Sequence, residues 1–288
     1  MNDIARGLRS RKSMTVGLLI PELNSTFHTN IMQHVGQFLR LRGYSCIVCD
    51  CNADKDVEQR ALSFLIDKMV DGIITIPLNS DGIHLSLARE RNVPVVLIDR
   101  PATRFDTDAV LVDNVSAGRA AAEYLLGRGH VQTAIISGRL SIYTMGTRSK
   151  AFIEAYKQHG CGAGVSRIET DFTISGGYDA AKRILSTQNS ITSVFCANYE
   201  LTLGAIAAMN ELGMKFPDDI SIFGFDNMEM TGVFKPSLTV IEQPMQQIAQ
   251  TAAALLLERL DGNDKNGEFR TVVLDTKLIE GESVADLR

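Results

Sequence analysis

Polar residues recur at one kind of place in this sequence, directly after short apolar runs: Glu22 to Phe27, Asp50, Pro77, Asp99-Arg100, Asp113-Asn114, Gly138, Asn198 and Asp226. Carboxylate and amide oxygens accept hydrogen bonds while amide and guanidinium N–H groups donate them, so such a set suits a ligand with adjacent hydroxyls. The same residue types cap helices and close turns, and about half of these positions are expected to do only that. Covalent chemistry is not indicated. GxGxxG, GxxxxGK[ST], GxSxG and HExxH are all absent, which removes the common phosphate, nucleophile and zinc-hydrolase patterns. The five histidines (His28, His34, His84, His130, His159) are scattered. Only His28, beside Phe27, stands where it could face a site, and it has no motif partner that would make it a general base. Cys46, Cys49 and Cys51 lack the second cysteine pair or nearby histidine that would close a tetrahedral zinc site. Neither a metal nor a cofactor is therefore expected, and a ligand-binding protein that performs no chemistry is the leading class.

The elements that must position these residues alternate along the chain. Strands are predicted at Val16 to Ile20, Cys46 to Cys49, Gly72 to Ile76, Val93 to Ile98, Ala109 to Val112, Thr133 to Ser137, Ser193 to Ala197 and Ile220 to Phe225. Between them, Ile31, Val35, Phe38 and Leu39 share one helical face, as do Val57, Ala61, Leu62, Leu65, Ile66 and Met69. Further helices are predicted over about 116–128, 148–159, 176–187, 202–212 and 245–260. This is an α/β pattern with a polar ring at the carboxyl ends of its strands, where open sheets and barrels alike bind ligands. Periodicity alone leaves both architectures open.

At 288 residues and roughly 150 per domain, two units are expected. Hydrophobic residues make up 45%, charged residues 22%, and mean hydropathy is +0.03, a balance too apolar for disorder. The formal net charge of −5 gives the body no basic field for nucleic acid. Residues 1–12 differ: Arg6, Arg9, Arg11 and Lys12 against Asp3 make a local +3. Those arginines interrupt any export signal and no 18-residue apolar run occurs, so a cytoplasmic protein without a membrane span is expected.

In combination, several motifs resemble the lactose-repressor/galactose-repressor family of transcription regulators. They are Ile4-Ala5-Arg6-Gly7-Leu8-Arg9, then Val16 to Pro21, Val70-Asp71-Gly72-Ile73-Ile74, Pro94 to Arg100, Val112-Asp113-Asn114, Gly129-His130, Pro217 to Ser221, Gly224-Phe225-Asp226-Asn227 and Pro236 to Val240. The resemblance spans essentially the whole chain. It implies an α/β fold of two doubly wound parallel-sheet subdomains joined by three crossovers, like periplasmic binding proteins. A hinge segment at 1–13 would precede a first subdomain at 14–114 and 243–270, and a second at 115–242 and 271–288.

The family's effector lies in the cleft between subdomains. Positions matching its contacts are Asn24, Ser25 and Phe27 on the first, Thr144, Arg148, Phe172, Asn198 and Asp226 on the second, and Gln243 at a crossover. Phe27 and Phe172 would lie against a sugar ring, and Asp226, Asn198 and Arg148 would bond its hydroxyls; core packing and a helix-surface cation are the plain alternatives for the Phe pair and Arg148. Tyr199 stands where the family commonly has Asp, and Thr26 where Pro usually precedes the Phe, so no relative's effector can be copied. Ala5, Arg6, Leu8 and Arg9 match the hinge helix that enters the minor groove of operator DNA, Leu8 as the wedge. A helix-turn-helix headpiece is expected before Ile4, and partners would be a saccharide effector, operator DNA in the full-length protein, and a second copy of the chain. The rival reading is the solute-binding protein of a sugar transporter. A cytoplasmic protein keeps its thiols reduced, so titration of denatured protein purified without reductant should find all five cysteines; three or fewer would contradict it.

Overall fold

In chain order the elements are β1 (Thr15–Ile20), α1 (Thr26–Arg40), β2 (Ser45–Asp50), α2 (Lys55–Asp67), β3 (Gly72–Thr75), α3 (Ser86–Glu90), β4 (Val95–Ile98), β5 (Asp108–Val112), α4 (Asn114–Leu126), β6 (Thr133–Ser137), α5 (Tyr143–Gln158), β7 (Val165–Glu169), α6 (Ile174–Thr187), β8 (Ser193–Cys196), α7 (Tyr199–Glu211), β9 (Ser221–Phe225), β10 (Thr239–Glu242), α8 (Met245–Leu260), β11 (Thr271–Leu274) and β12 (Lys277–Ile279). This computed structural model describes residues 12–187, 190–226, 232–262 and 267–288. Among them no helix is long and apolar enough to cross a membrane.

The described residues divide into two units, 12–112 with 244–274 and 113–243 with 275–288. The strands form two six-stranded sheets, so the open doubly wound architecture holds and a barrel does not. In the first unit the order is β11-β5-β4-β3-β1-β2, every pair parallel. β3, β4 and β5 are buried along their whole length, which is why they read as unbroken apolar runs rather than alternating ones. One face carries α2 and α3, through Leu62, Leu65, Ile66 and Ala88, with Leu85 from the turn before α3; α8 packs across β3, β4 and β5 and against α1.

In the second unit the order is β12-β10-β9-β8-β6-β7, parallel except for the antiparallel β10–β12 pair. α6 and α7 cover one face through Ala180, Ile184, Leu201, Ala205 and Met209. α4 and α5 cover the other around a stacked Phe152–Phe195 pair, 4.8 Å between centroids. Gly118 on α4 matters here, because a side chain on it would collide with the Arg148 carbonyl on α5.

The crossovers fall after 112, 243 and 274, not after 114, 242 and 270. The largest shift has a specific cause. Asp108 at the start of β5 accepts from Arg259 Nε (2.8 Å) and Nη2 (3.0 Å) on α8 and from the Arg270 N–H (2.7 Å), which brings the next residues, β11, alongside β5 in the first sheet. Residues 12–13 belong with the first unit, Ser13 N–H and Oγ both donating to Asp71; the rest of the expected hinge segment, 1–11, lies outside the described residues. β7, β11 and β12 escaped the apolar-run criterion because they are largely half-buried or exposed; β10, buried over its first three residues, was not expected either. Asp108→Ala should remove the buried carboxylate that Arg259, 10% exposed, and the Arg270 N–H share, and lower the unfolding free energy by about 3 kcal/mol, measured by urea denaturation; a change within experimental error would show that this ion pair does not hold α8 in place.

Candidate functional site

The strand carboxyl ends of each unit gather polar side chains, and the second unit gathers more. Its centre is Arg148, one turn after Thr144 on α5 and 2% exposed. Arg148 Nε and Nη2 donate to Asn114 Oδ1 at 3.2 and 2.8 Å, and Nη1 donates to the Ala197 carbonyl. Its guanidinium lies 3.3 Å from the Phe225 ring centroid, a cation–π geometry. It is therefore no helix-surface cation.

Phe225 and Ala197 are the residues directly before Asp226 and Asn198, so the Arg148 fork meets both strand ends. Asp226 has φ +69°, a left-handed backbone that costs a non-glycine residue free energy and collects at functional sites. It is held by its N–H donating to the Ile241 carbonyl (2.7 Å) and by Gln243 Nε2 donating to its Oδ1 (2.6 Å). Gln243 is 6% exposed, and its Oε1 accepts no hydrogen bond. Ser137 Oγ, at the end of β6, is buried without a partner as well. Phe172, half-buried after β7, lies with its ring over Gly138, where any side chain would displace it. Its position is not that of a core phenylalanine.

Asn198 is largely engaged in capping. Its Oδ1 accepts the Leu201 N–H (2.9 Å) at the start of α7, and its Nδ2 donates to Glu200 Oε2 (2.9 Å). Asp113 caps α4 through the Ser116 N–H and hydroxyl, which hold its carboxyl below the usual range. Asp50 closes a turn on the Asn52 N–H. Three strand-end positions thus serve local backbone satisfaction, as such residue types often do.

In the first unit, Ser25 precedes α1 as its N-cap residue without a side-chain capping bond, Asn24 is exposed, and Phe27 is buried with its ring set edgewise on His28 (5.9 Å). Asp99, after β4, repeats the Asp226 geometry: φ is +69° and its N–H donates to the Val110 carbonyl (3.0 Å). Arg100 Nε donates to Asp99 Oδ2 at 3.2 Å. His28 is buried, its Nδ1 2.9 Å from the Glu22 carbonyl. Burial, opposed by that carbonyl and reinforced by Arg100, brings its pKa down to about 4, which suits a neutral packing group rather than a base at neutral pH.

Sequence reading missed Asn114 as a site residue, although Asp113-Asn114 stood in the strand-end ring. It also gave no sign of Phe225 or the Ala197 carbonyl as partners of Arg148, because neither a ring face nor a main-chain oxygen has a signature in residue type. Ala5, Arg6, Leu8, Arg9 and Asn227 lie outside the described residues. Among those described, no group of three or more His, Cys, Asp or Glu is placed to hold a metal ion.

Two doubly wound sheets with polar anchors at their strand ends define a periplasmic-binding-protein-like effector domain. Residues 122–284 match the periplasmic binding protein-like domain model. The chain is 32% identical to the HTH-type transcriptional repressor PurR of Yersinia enterocolitica, over 98% of this chain and 83% of that protein. Its structure is similar to a LacI family transcriptional regulator of Enterococcus faecium with bound ribose (27% identity, TM-score 0.86, 95% of this chain and all of that one). It is also similar to the CelR–cellobiose complex (26%, TM-score 0.84, 97% and 89%). The chain belongs to the LacI family of transcriptional regulators.

Because His28 is neutral in the fold but takes a proton near pH 6.5 when unfolded, the unfolded state binds more protons between those values. Stability is thus full above about pH 6.5 and falls as pH drops toward 4, by up to about 3 kcal/mol from this group. Unfolding free energy measured from pH 7 to 4 should fall less steeply for His28→Gln than for the parent; equal slopes would mean that His28 does not titrate this way.

Proposed function

We propose that this chain is the effector-sensing part of a transcriptional repressor and that its effector is a small, neutral, polyhydroxylated molecule, a mono- or disaccharide. Arg148 and Asp226 are the polar anchors and Phe172 is the stacking face. Thr144, Asn198 and Gln243 line the same strand ends, and Asn24, Ser25 and Phe27 are supplied from the first unit, as the family resemblance implies. The observation that carries this reading is the Asp226–Gln243 pair. It is a buried carboxylate on a left-handed backbone, bonded to an amide whose own acceptor, Oε1, is unused. A buried polar atom without a partner costs free energy, and a ligand hydroxyl donating to it removes that cost. The ribose and cellobiose of the two structural relatives fit this chemistry. A phosphorylated ligand would want clustered cations instead.

Binding performs no chemistry in this reading, so the chain is not an enzyme. The effector acts through its differential affinity for two arrangements of the protein, the only free energy it can supply to operator affinity. The regulator works in the cytoplasm as a homodimer, because symmetric operators are read by symmetric pairs. Ala5, Arg6, Leu8 and Arg9 are the hinge residues that meet DNA, and the headpiece belongs to the full-length protein.

The test begins with a thermal-shift panel of D-ribose, cellobiose, other mono- and disaccharides and nucleobases, followed by calorimetry. Each charged hydrogen bond should contribute about 1.5–3 kcal/mol, so Arg148→Ala and Asp226→Ala should each weaken binding by roughly ten- to a hundredfold. Unchanged affinity in both variants would place the effector elsewhere. A nucleobase hit that both variants weaken would keep the site and replace the ligand class.

A further inference from the structure

Asn114 is the second residue after the first crossover and the first residue of α4, and it is 2% exposed. Its single Oδ1 accepts both Nε and Nη2 of Arg148, one whole edge of the guanidinium. The Ala197 carbonyl takes Nη1, and the Phe225 ring supports the plane from one face. Among the contacts of the described residues, these three, from three different elements, bear on where the fork lies, which way it is rotated and how it is tilted. Ala197 contributes main chain and Phe225 an apolar ring of the sheet, so both are set by the strands themselves. Of the three, Asn114 alone acts through a polar side chain and can be exchanged without altering the sheet.

A guanidinium contributes to recognition through the direction of its N–H groups as much as through its charge, and a long side chain held at only one point loses affinity to rotamer freedom. We infer that Asn114 is a positioning residue for effector recognition: by holding the Nε/Nη2 edge of Arg148 it fixes the direction in which that fork meets ligand hydroxyls. This inference rests on Arg148 being an effector anchor. It assigns a role to a residue outside the expected contact set, and it puts that residue next to the point where the chain passes between units.

The experiment uses the whole chain and the tightest-binding saccharide of the panel, D-ribose being the first tried, with affinity read by calorimetry. Asn114→Ala should weaken binding about tenfold, the effect of one misdirected charged hydrogen bond. Asn114→Asp, which offers carboxylate oxygens to the same two N–H groups, should stay within about threefold of the parent. Arg148→Lys, which cannot present the fork, should weaken binding about tenfold, and adding Asn114→Ala to it should cost no more than a further twofold or so. In the unliganded protein, NMR signals of the Arg148 side-chain N–H groups should be resolved in the parent and in N114D and lost in N114A, a change that loss of general stability would not produce selectively.

Should N114A fail to fold, Asn114→Ser, whose hydroxyl is too short to reach the fork, is read in its place. The inference is overturned if N114A binds as the parent does, if N114D fails to rescue, or if N114A costs a further tenfold in the R148K background. If R148K itself binds normally, the anchor role of Arg148 falls instead, and if nothing in the panel binds, the proposed ligand class falls, so the failures are distinguishable.

Discussion

A guanidinium removed from water loses hydration worth several kcal/mol unless polar atoms replace it, and Arg148 is almost wholly buried. Much of the second unit's site is arranged to meet that need. The Asn114 amide, the Ala197 carbonyl and the Phe225 ring surround the fork, and they come from α4, the end of β8 and the end of β9. Gly118 on α4 lets that helix approach the Arg148 main chain closely enough for Asn114 to reach the side chain. The cation therefore ties two helices to two strand ends. The same arrangement sets it against Phe225, the residue directly before Asp226.

The two units use one plan with different content. In each, the strand third from the edge ends in an aspartate at φ +69° whose N–H is bonded to the neighbouring strand, Asp99 to Val110 and Asp226 to Ile241. The first unit pairs its aspartate with the adjacent Arg100. The second bonds it to the amide of Gln243, a residue at the point of crossing to the first unit. No internal repeat is visible in the amino-acid sequence, because the plan is carried by strand order and backbone geometry, which many residue types satisfy. A sensor needs contacts that change between states rather than reactive groups. Burial holds His28 neutral and pushes the Cys51 thiol up to about 12.

The sequence by itself determined the alternation of strands and helices, since strands buried on both faces must be unbroken apolar runs and covering helices must repeat every 3.6 residues. It also marked the strand ends as the polar edge, and its motifs pointed to the family. The helix over 245–260 matches α8, while α4, α5, α6 and α7 begin earlier than expected and the short α3 had no apolar repeat to mark it; α5 starts at Tyr143 rather than at Arg148, because its first turn carries little apolar periodicity. The short edge strands were not legible, as β7 and β11 are only partly buried and β12 gains its place by pairing with β10. Residue type could not separate capping from binding, for an aspartate after a strand serves either purpose until its neighbours are known. Only the tertiary structure decided that Asp113 and Asn198 cap helices while Asp226 stands bonded to Gln243. It also decided that β11 belongs with the first sheet, and that Asn114, 34 residues from Arg148, shares its hydrogen bonds. The physical reason is common to all three. Each depends on which polar groups remain to be satisfied after chain segments remote in sequence have packed together, and that remainder is a property of the assembled fold.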